Sequence, residues 1–257
     1  MADSPISKWY VELRGENIDL DDWVYTLNEP FDPVAFKHPE WGYVLSSSEF
    51  TLSASASEIR EKAKALINRL NGTMAVMHRC KPVSGGGIRE LREDGISNVT
   101  VFAEMVAISF GRAVARGTAT VMRADGLPGP PPPPQPSMAQ SWNLLATFDN
   151  NVADLLEQHG KADGWYEIYK TLELAECIVG GERRLKRLLG ASGQAYANMR
   201  RTANFYRHAR AARPVTMPTI HEAIKLLHFI VRTVLDQKLA QGKIPQFPPP
   251  LGRRDIS

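Results

Sequence analysis

GLPGPPPPPQP, residues 126–136, divides the chain. Proline fixes φ and carries no amide hydrogen, so this stretch can be neither helix interior nor inner strand. The unbroken run from Pro130 to Pro134 favours polyproline II, a semi-rigid spacer. Such runs also dock into aromatic-lined grooves, although separating two domains is the simpler role. The residue patterns on its two sides differ, and that difference sets the fold class.

Before the run, strand-like segments dominate. Trp9 to Leu13 alternates and is stopped at Gly15. Asp19 to Leu27 reads as a short helix capped by Asp19, and Trp41 to Leu45 as a second strand. Pro30, Pro33 and Pro39 make the segment between them irregular. Ser55 or Ser57 opens a helix carrying Ile59, Ala63, Leu66, Ile67 and Leu70, which Asn71-Gly72 is expected to close. Ser84 to Gly87 reads as a mobile loop. Ile88 to Arg92, Asn98 to Phe110 and Ala113 to Arg123 read as antiparallel strands, with Asp94-Gly95 as a hairpin turn.

After the run, only helical periods recur. Met138 to His159, Trp165 to Leu189, Ala195 to Ala212 and Thr219 to Gln241 are the expected helices, with Gly180-Gly181 a candidate interruption in the second. Thr219 and Glu222 form a capping box ahead of the stripe Ile220, Ala223, Ile224, Leu227, Val231, Val234 and Leu235. The fold class is therefore α+β. A mixed α/β domain with an antiparallel sheet spans 1–126, a proline-rich linker 127–137, an all-α bundle of about four helices 138–243, and a flexible tail 244–257.

Charge is unequally shared. Residues 1–136 hold 14 Lys and Arg against 17 Asp and Glu, whereas residues 137–257 hold 17 against 11. A basic helical half suits RNA or an acidic protein surface, and equally a solvated face. Cys80 and Cys177 are too few for a disulfide framework or a thiolate zinc site, and both are expected to be reduced. No leader-like run opens the chain, and no window is apolar enough to span a membrane, which points to a cytoplasmic protein.

Nothing in the sequence implies a cofactor. Walker-type loops, dinucleotide glycine fingerprints and nucleophile elbows are missing. No metal is expected either. His221 and His228 share a face of the last helix with Lys225 and Arg232, and the cations would repel an ion.

The candidate site lies in the helix around 198–210. At about 100° per residue, Arg200, Arg201, Asn204, Arg207 and His208 fall in one arc of roughly 120°. Tyr196, Met199, Ala203 and Tyr206 fall on the other side. Arginines at such an arc can neutralise phosphate, and Arg200 and Arg207 are the expected anion-binding pair. Asn204 can orient the anion, and a histidine titrating near neutral pH can move its proton. Arg183, Arg184, Lys186 and Arg187 fit phosphate contacts, or simply the negative end of a helix.

The spacing Arg201-x6-His208, with Asn204 inside it and a capped final helix after it, resembles the Arg–His motif of the HEPN superfamily. The resemblance covers about residues 138–241. It implies a small helical bundle that dimerises with its motif at the cleft, and a metal-independent endoribonuclease with Arg201, His208 and Asn204 as catalytic residues. The pattern departs from the usual form at Thr202, where a polar Asn or Asp commonly follows the arginine, and at Ala209, where glycine often follows the histidine. The general layout is similar to that of uncharacterised bacterial proteins, and the leading expectation is a bacterial accessory or defence-type protein whose basic helical domain binds RNA or another anionic partner. The competing reading is an interaction module without chemistry, dimerising through its helical domain. Trp165, Tyr166 and Tyr169 would then serve as core or as partner surface.

Overall fold

The computed structural model describes residues 9–91, 97–101, 133–208 and 214–242. Its architecture is α+β. Strands β1 (Trp9–Arg14), β2 (Val34–His38), β3 (Gly42–Ser46), β4 (Ser84–Leu91) and β5 (Ser97–Thr100) form one sheet in the order β2-β3-β1-β4-β5. Every pairing is antiparallel, with Val11 opposite Leu45 on one side of β1 and Tyr10 opposite Arg89 on the other.

Alternation along β1 sorts the two faces. Trp9, Val11 and Leu13 enter the apolar cluster under helix α2 (Ala56–His78). Tyr10 faces away and meets Phe36 edge-on at 6.0 Å and Trp41 at 5.8 Å. Helix α1 (Asn17–Thr26) adds Leu20 and Trp23 to the same cluster, and its N-cap is Glu16 rather than Asp19.

Three expectations fail here for tertiary reasons. Strand β2 forms in the segment whose prolines suggest irregular chain. The glycine-rich stretch is strand, not loop, because side chains of β1 lie across it. A Cβ at Gly86 would sit 2.7 Å from Arg14 Nε, and one at Gly87 3.0 Å from Glu12 Oε2. Helix α2 also runs straight through Asn71-Gly72. Asn71 clasps the main chain of Val83 by donating to its carbonyl and accepting from its amide, both at 2.8 Å. Gly72 has no room for a side chain, since a Cβ would lie 2.0 Å from the Leu156 carbonyl oxygen.

The second half contributes α3 (Met138–Phe148), α4 (Asn150–Gly160), α5 (Trp165–Val179), α6 (Glu182–Leu188), α7 (Gly193–Arg207) and α8 (Ile220–Gln241). Six helices stand where about four are expected. Asp149 breaks the first by capping the amides of Asn151 and Val152, and Gly180 and Gly181 break the second at φ 84° and 116°. The Thr219–Glu222 capping box forms as read.

These helices enclose their own apolar cluster, which includes Trp142, Leu155, Leu172, Tyr196, Leu227 and Val231. The clusters are not isolated. Met77 of α2 packs against both, and Ala139 of α3 belongs to the cluster under the sheet. The Gln140 amide donates to the carbonyls of Phe31 and Asn28 at 2.7 and 2.9 Å, tying α3 to the loop before β2. The two halves therefore meet along α2, with α4 crossing at Gly72 and Gly160. The expected hairpin turn at Asp94-Gly95, the strand at Ala113 to Arg123, most of the linker and the tail lie outside the described residues.

Candidate functional site

Helix α7 buries Tyr196, Met199, Thr202 and Ala203, so the candidate arc lies toward its outer side. The structure divides that arc in two. Its edge next to α5 is taken up by carboxylates. Arg200 Nε donates to Glu176 Oε1 at 2.7 Å, and the same oxygen accepts from the Tyr196 hydroxyl at 2.7 Å. Glu182 adds a further contact to Arg200 at 3.5 Å. The bond to Glu176 drives the Arg200 pKa up, and burial beside Glu176 drives the Tyr196 phenol up. Arg207 pairs with Glu173 at 3.3 Å and lies 4.3 Å over the Tyr169 ring. Both expected anion binders thus already hold an anion of the protein itself.

The outer edge is different. Arg201 is exposed and bonds only neutral groups among the described residues, Asn198 Oδ1 at 2.7 Å and the Ala197 carbonyl at 3.3 Å. His208 is exposed too, but it does not stand inside the helix as expected. It is the C-cap of α7, in extended conformation, with its amide donating to the Asn204 carbonyl. Two turns separate the pair, about 10 Å along the axis, with Asn204 between them half-buried. Trp165 stacks on Tyr206 at 5.5 Å with 6° between the rings, Tyr169 is buried, and Tyr166 is exposed. Arg184 and Arg187 of α6 line an open cavity of about 470 Å³ with the exposed thiol of Cys177.

A second basic site lies where the halves meet, and sequence reading missed it. The C-terminal ends of α2 and α4 and the first half of α8 surround a cavity of about 530 Å³. From α8 come His221, Lys225 and His228, at the i, i+4, i+7 spacing that shares one helix face. Far from being only a solvated face, this face reaches inward. His228 Nδ1 lies 3.0 Å from Nε2 of His159, a residue of α4 that is 3% exposed. Burial, and then the neighbouring His228, push His159 down to about 3; burial and nearby Arg79 push His228 down to about 4. Both rings are neutral at pH 7.

A neutral pair shares one proton across this contact. If His159 Nε2–H donates, the buried Nδ1 left without a partner is a bare acceptor. If His228 donates, that buried Nδ1 carries an orphan N–H, the rarer and costlier arrangement. The first tautomer is favoured. It leaves the remaining ring proton on Nε2 of His228, a residue that lines the cavity.

A third cluster, Asp19, Asp22 and Cys80, is buried, with donor atoms within 4.8 Å of one another. Cys80 Sγ lies 3.7 Å from Asp22 Oδ2. Two carboxylates and a thiol could contribute to a divalent-metal shell but fall one ligand short of a closed structural zinc site. Among the described residues no helix is long and apolar enough to cross a membrane. No family model, curated protein or solved structure matches the chain.

Proposed function

We propose that the helical region binds RNA along the outer side of α7 and cleaves it without a metal, as a HEPN-like endoribonuclease of a bacterial accessory or defence system. The observation that carries this reading is the exposure of Arg201 on α7 and of His208 at its C-cap, with no carboxylate neutralising Arg201 among the described residues. Arg201 neutralises the scissile phosphate, and His208 takes the proton from the adjacent 2′-hydroxyl. The 2′-oxygen attacks phosphorus, the bond from phosphorus to the 5′-oxygen breaks, the leaving oxygen takes the proton that His208 collected, and a cyclic phosphate remains. Asn204 orients the phosphate. A second copy facing the first would supply the paired motif of a cleft, which makes the active species a dimer.

The test is cleavage of a labelled structured RNA in EDTA by the wild type, Arg201→Ala and His208→Ala. Cleavage by the wild type alone, leaving cyclic-phosphate ends, supports the assignment. Equal cleavage by all three, or none by any, removes Arg201 and His208 as a catalytic pair. A second reading, a non-catalytic module that pairs through its helices, rests on Tyr166 and Tyr206, which are 55% and 56% exposed around the stacked Trp165. Dimerisation lost on Tyr206→Ser, without any cleavage by the wild type, would favour it.

A further inference from the structure

We infer that the cavity between α2, α4 and α8 is a binding site for a phosphate-bearing small molecule of mononucleotide size, separate from the α7 surface. The charges lining it are lopsided. Arg79, Lys81, Lys161 and Lys225 face a single acid, Asp163. Lys81 is held by Glu16 and Lys161 by Glu157, each at 2.6 Å. Arg79 and Lys225 form no ion pair among the described residues, although Lys225 lies close enough to Glu222 for its charge to lower that carboxyl. They are the two cations of the lining not held in an ion pair.

The local backbone points the same way. Arg79 ends α2 in the left-handed region, at φ 56° and ψ 34°, the single non-glycine residue with positive φ among those described. Glycine is the usual occupant of this position, and any other residue there costs on the order of 1 kcal/mol. This turn sets Arg79 in the lining of the cavity.

The third element is the donor on His228. With Nδ1 taken by His159, Nε2–H is the donor that His228 has left to offer at the cavity lining. Arg79 and Lys225 neutralise a phosphate group and His228 donates to it. Ile224, Ala162 and Pro82 supply an apolar wall against which a planar base can lie. The volume suits a ligand of that size.

The experiment is calorimetric titration of the full chain with AMP, adenosine and inorganic phosphate, beside Arg79→Gly, Lys225→Ala and Arg201→Ala. Arg79→Gly is the decisive variant. Glycine relieves the left-handed strain, so the unliganded protein keeps or raises its Tm, while affinity for AMP falls about tenfold or more. Lys225→Ala weakens binding similarly, and Arg201→Ala leaves it unchanged. AMP binds more tightly than inorganic phosphate, and adenosine binds least. Absence of AMP binding by the wild type, or wild-type affinity in Arg79→Gly, overturns the proposal. Neither result bears on RNA cleavage at Arg201 and His208, which is read independently.

Discussion

The arc on α7 and the cavity at the seam both carry arginine, histidine and asparagine, yet their charges are disposed in opposite ways. On α7, the neighbouring helix α5 brings Glu173 and Glu176 up to Arg207 and Arg200, and only Arg201 and His208 are left to solvent. At the seam, three helix ends bring cations together, and a single carboxylate lines the space. Basic residues on one helix face are therefore not a site in themselves. The element packed alongside decides whether they are satisfied internally or left for a ligand.

The most damaging test of this contrast is Gly72→Ala. In an isolated helix the change would stabilise by about 1 kcal/mol. Here the new methyl would meet the Leu156 carbonyl, and α2 and α4 must part. Denaturant unfolding should show a loss of about 4 kcal/mol, with AMP binding lost and the α7 surface less affected. A neutral or stabilising result would mean that α4 does not cross α2 at this point.

Acid should act nearly as strongly, and on the seam first. His159 and His228 have folded pKa values of about 3 and about 4, below the ordinary 6.5. Above pH 6.5 both rings are neutral whether folded or unfolded, so they contribute no pH dependence. As pH falls below 6.5 the unfolded chain takes up protons that the folded chain refuses, and stability drops. By pH 5 each ring contributes about 2 kcal/mol, so the loss should reach roughly 4 kcal/mol, seen as a falling midpoint in urea. A His159→Leu/His228→Leu double variant should show a flatter profile in that window.

Adjacent arginines supply the third comparison. Arg200→Ala strands Glu176, whose side chain is only 12% exposed, and should cost about 1–2 kcal/mol. Arg201→Ala, one residue on, should change stability by less than about 0.5 kcal/mol while removing RNA cleavage. Equal costs at the two positions would show that the division of the arc has no energetic content.

Local signals were read well where they answer to local physics. Ser55 caps α2 by accepting from the Glu58 amide, Thr219 and Glu222 close their box, and β1 alternates as its residues do. Failures occur where the deciding partner is far along the chain. Asn71-Gly72 has the composition of a helix stop, but Leu156 and Val83 turn it into a crossing and a clasp. The glycines of β4 look mobile until Arg14 and Glu12 are laid over them. On α7 the arc itself was legible, although its partition by Glu173 and Glu176 was not. The seam cavity was invisible for the same reason. His159 stands alone in its helix, and its mate is 69 positions later. No periodicity links the two.

The crossing at Gly72 bears on where the polypeptide can be cut. α2 precedes the proline run and α4 follows it, and they touch main chain to main chain. The two halves therefore recognise each other through packed surfaces on either side of the run. Two fragments produced by severing the chain between Pro130 and Pro134 and expressed side by side should find each other and co-purify as a complementing pair. Lengthening or shortening the proline run should likewise leave their mutual arrangement unchanged.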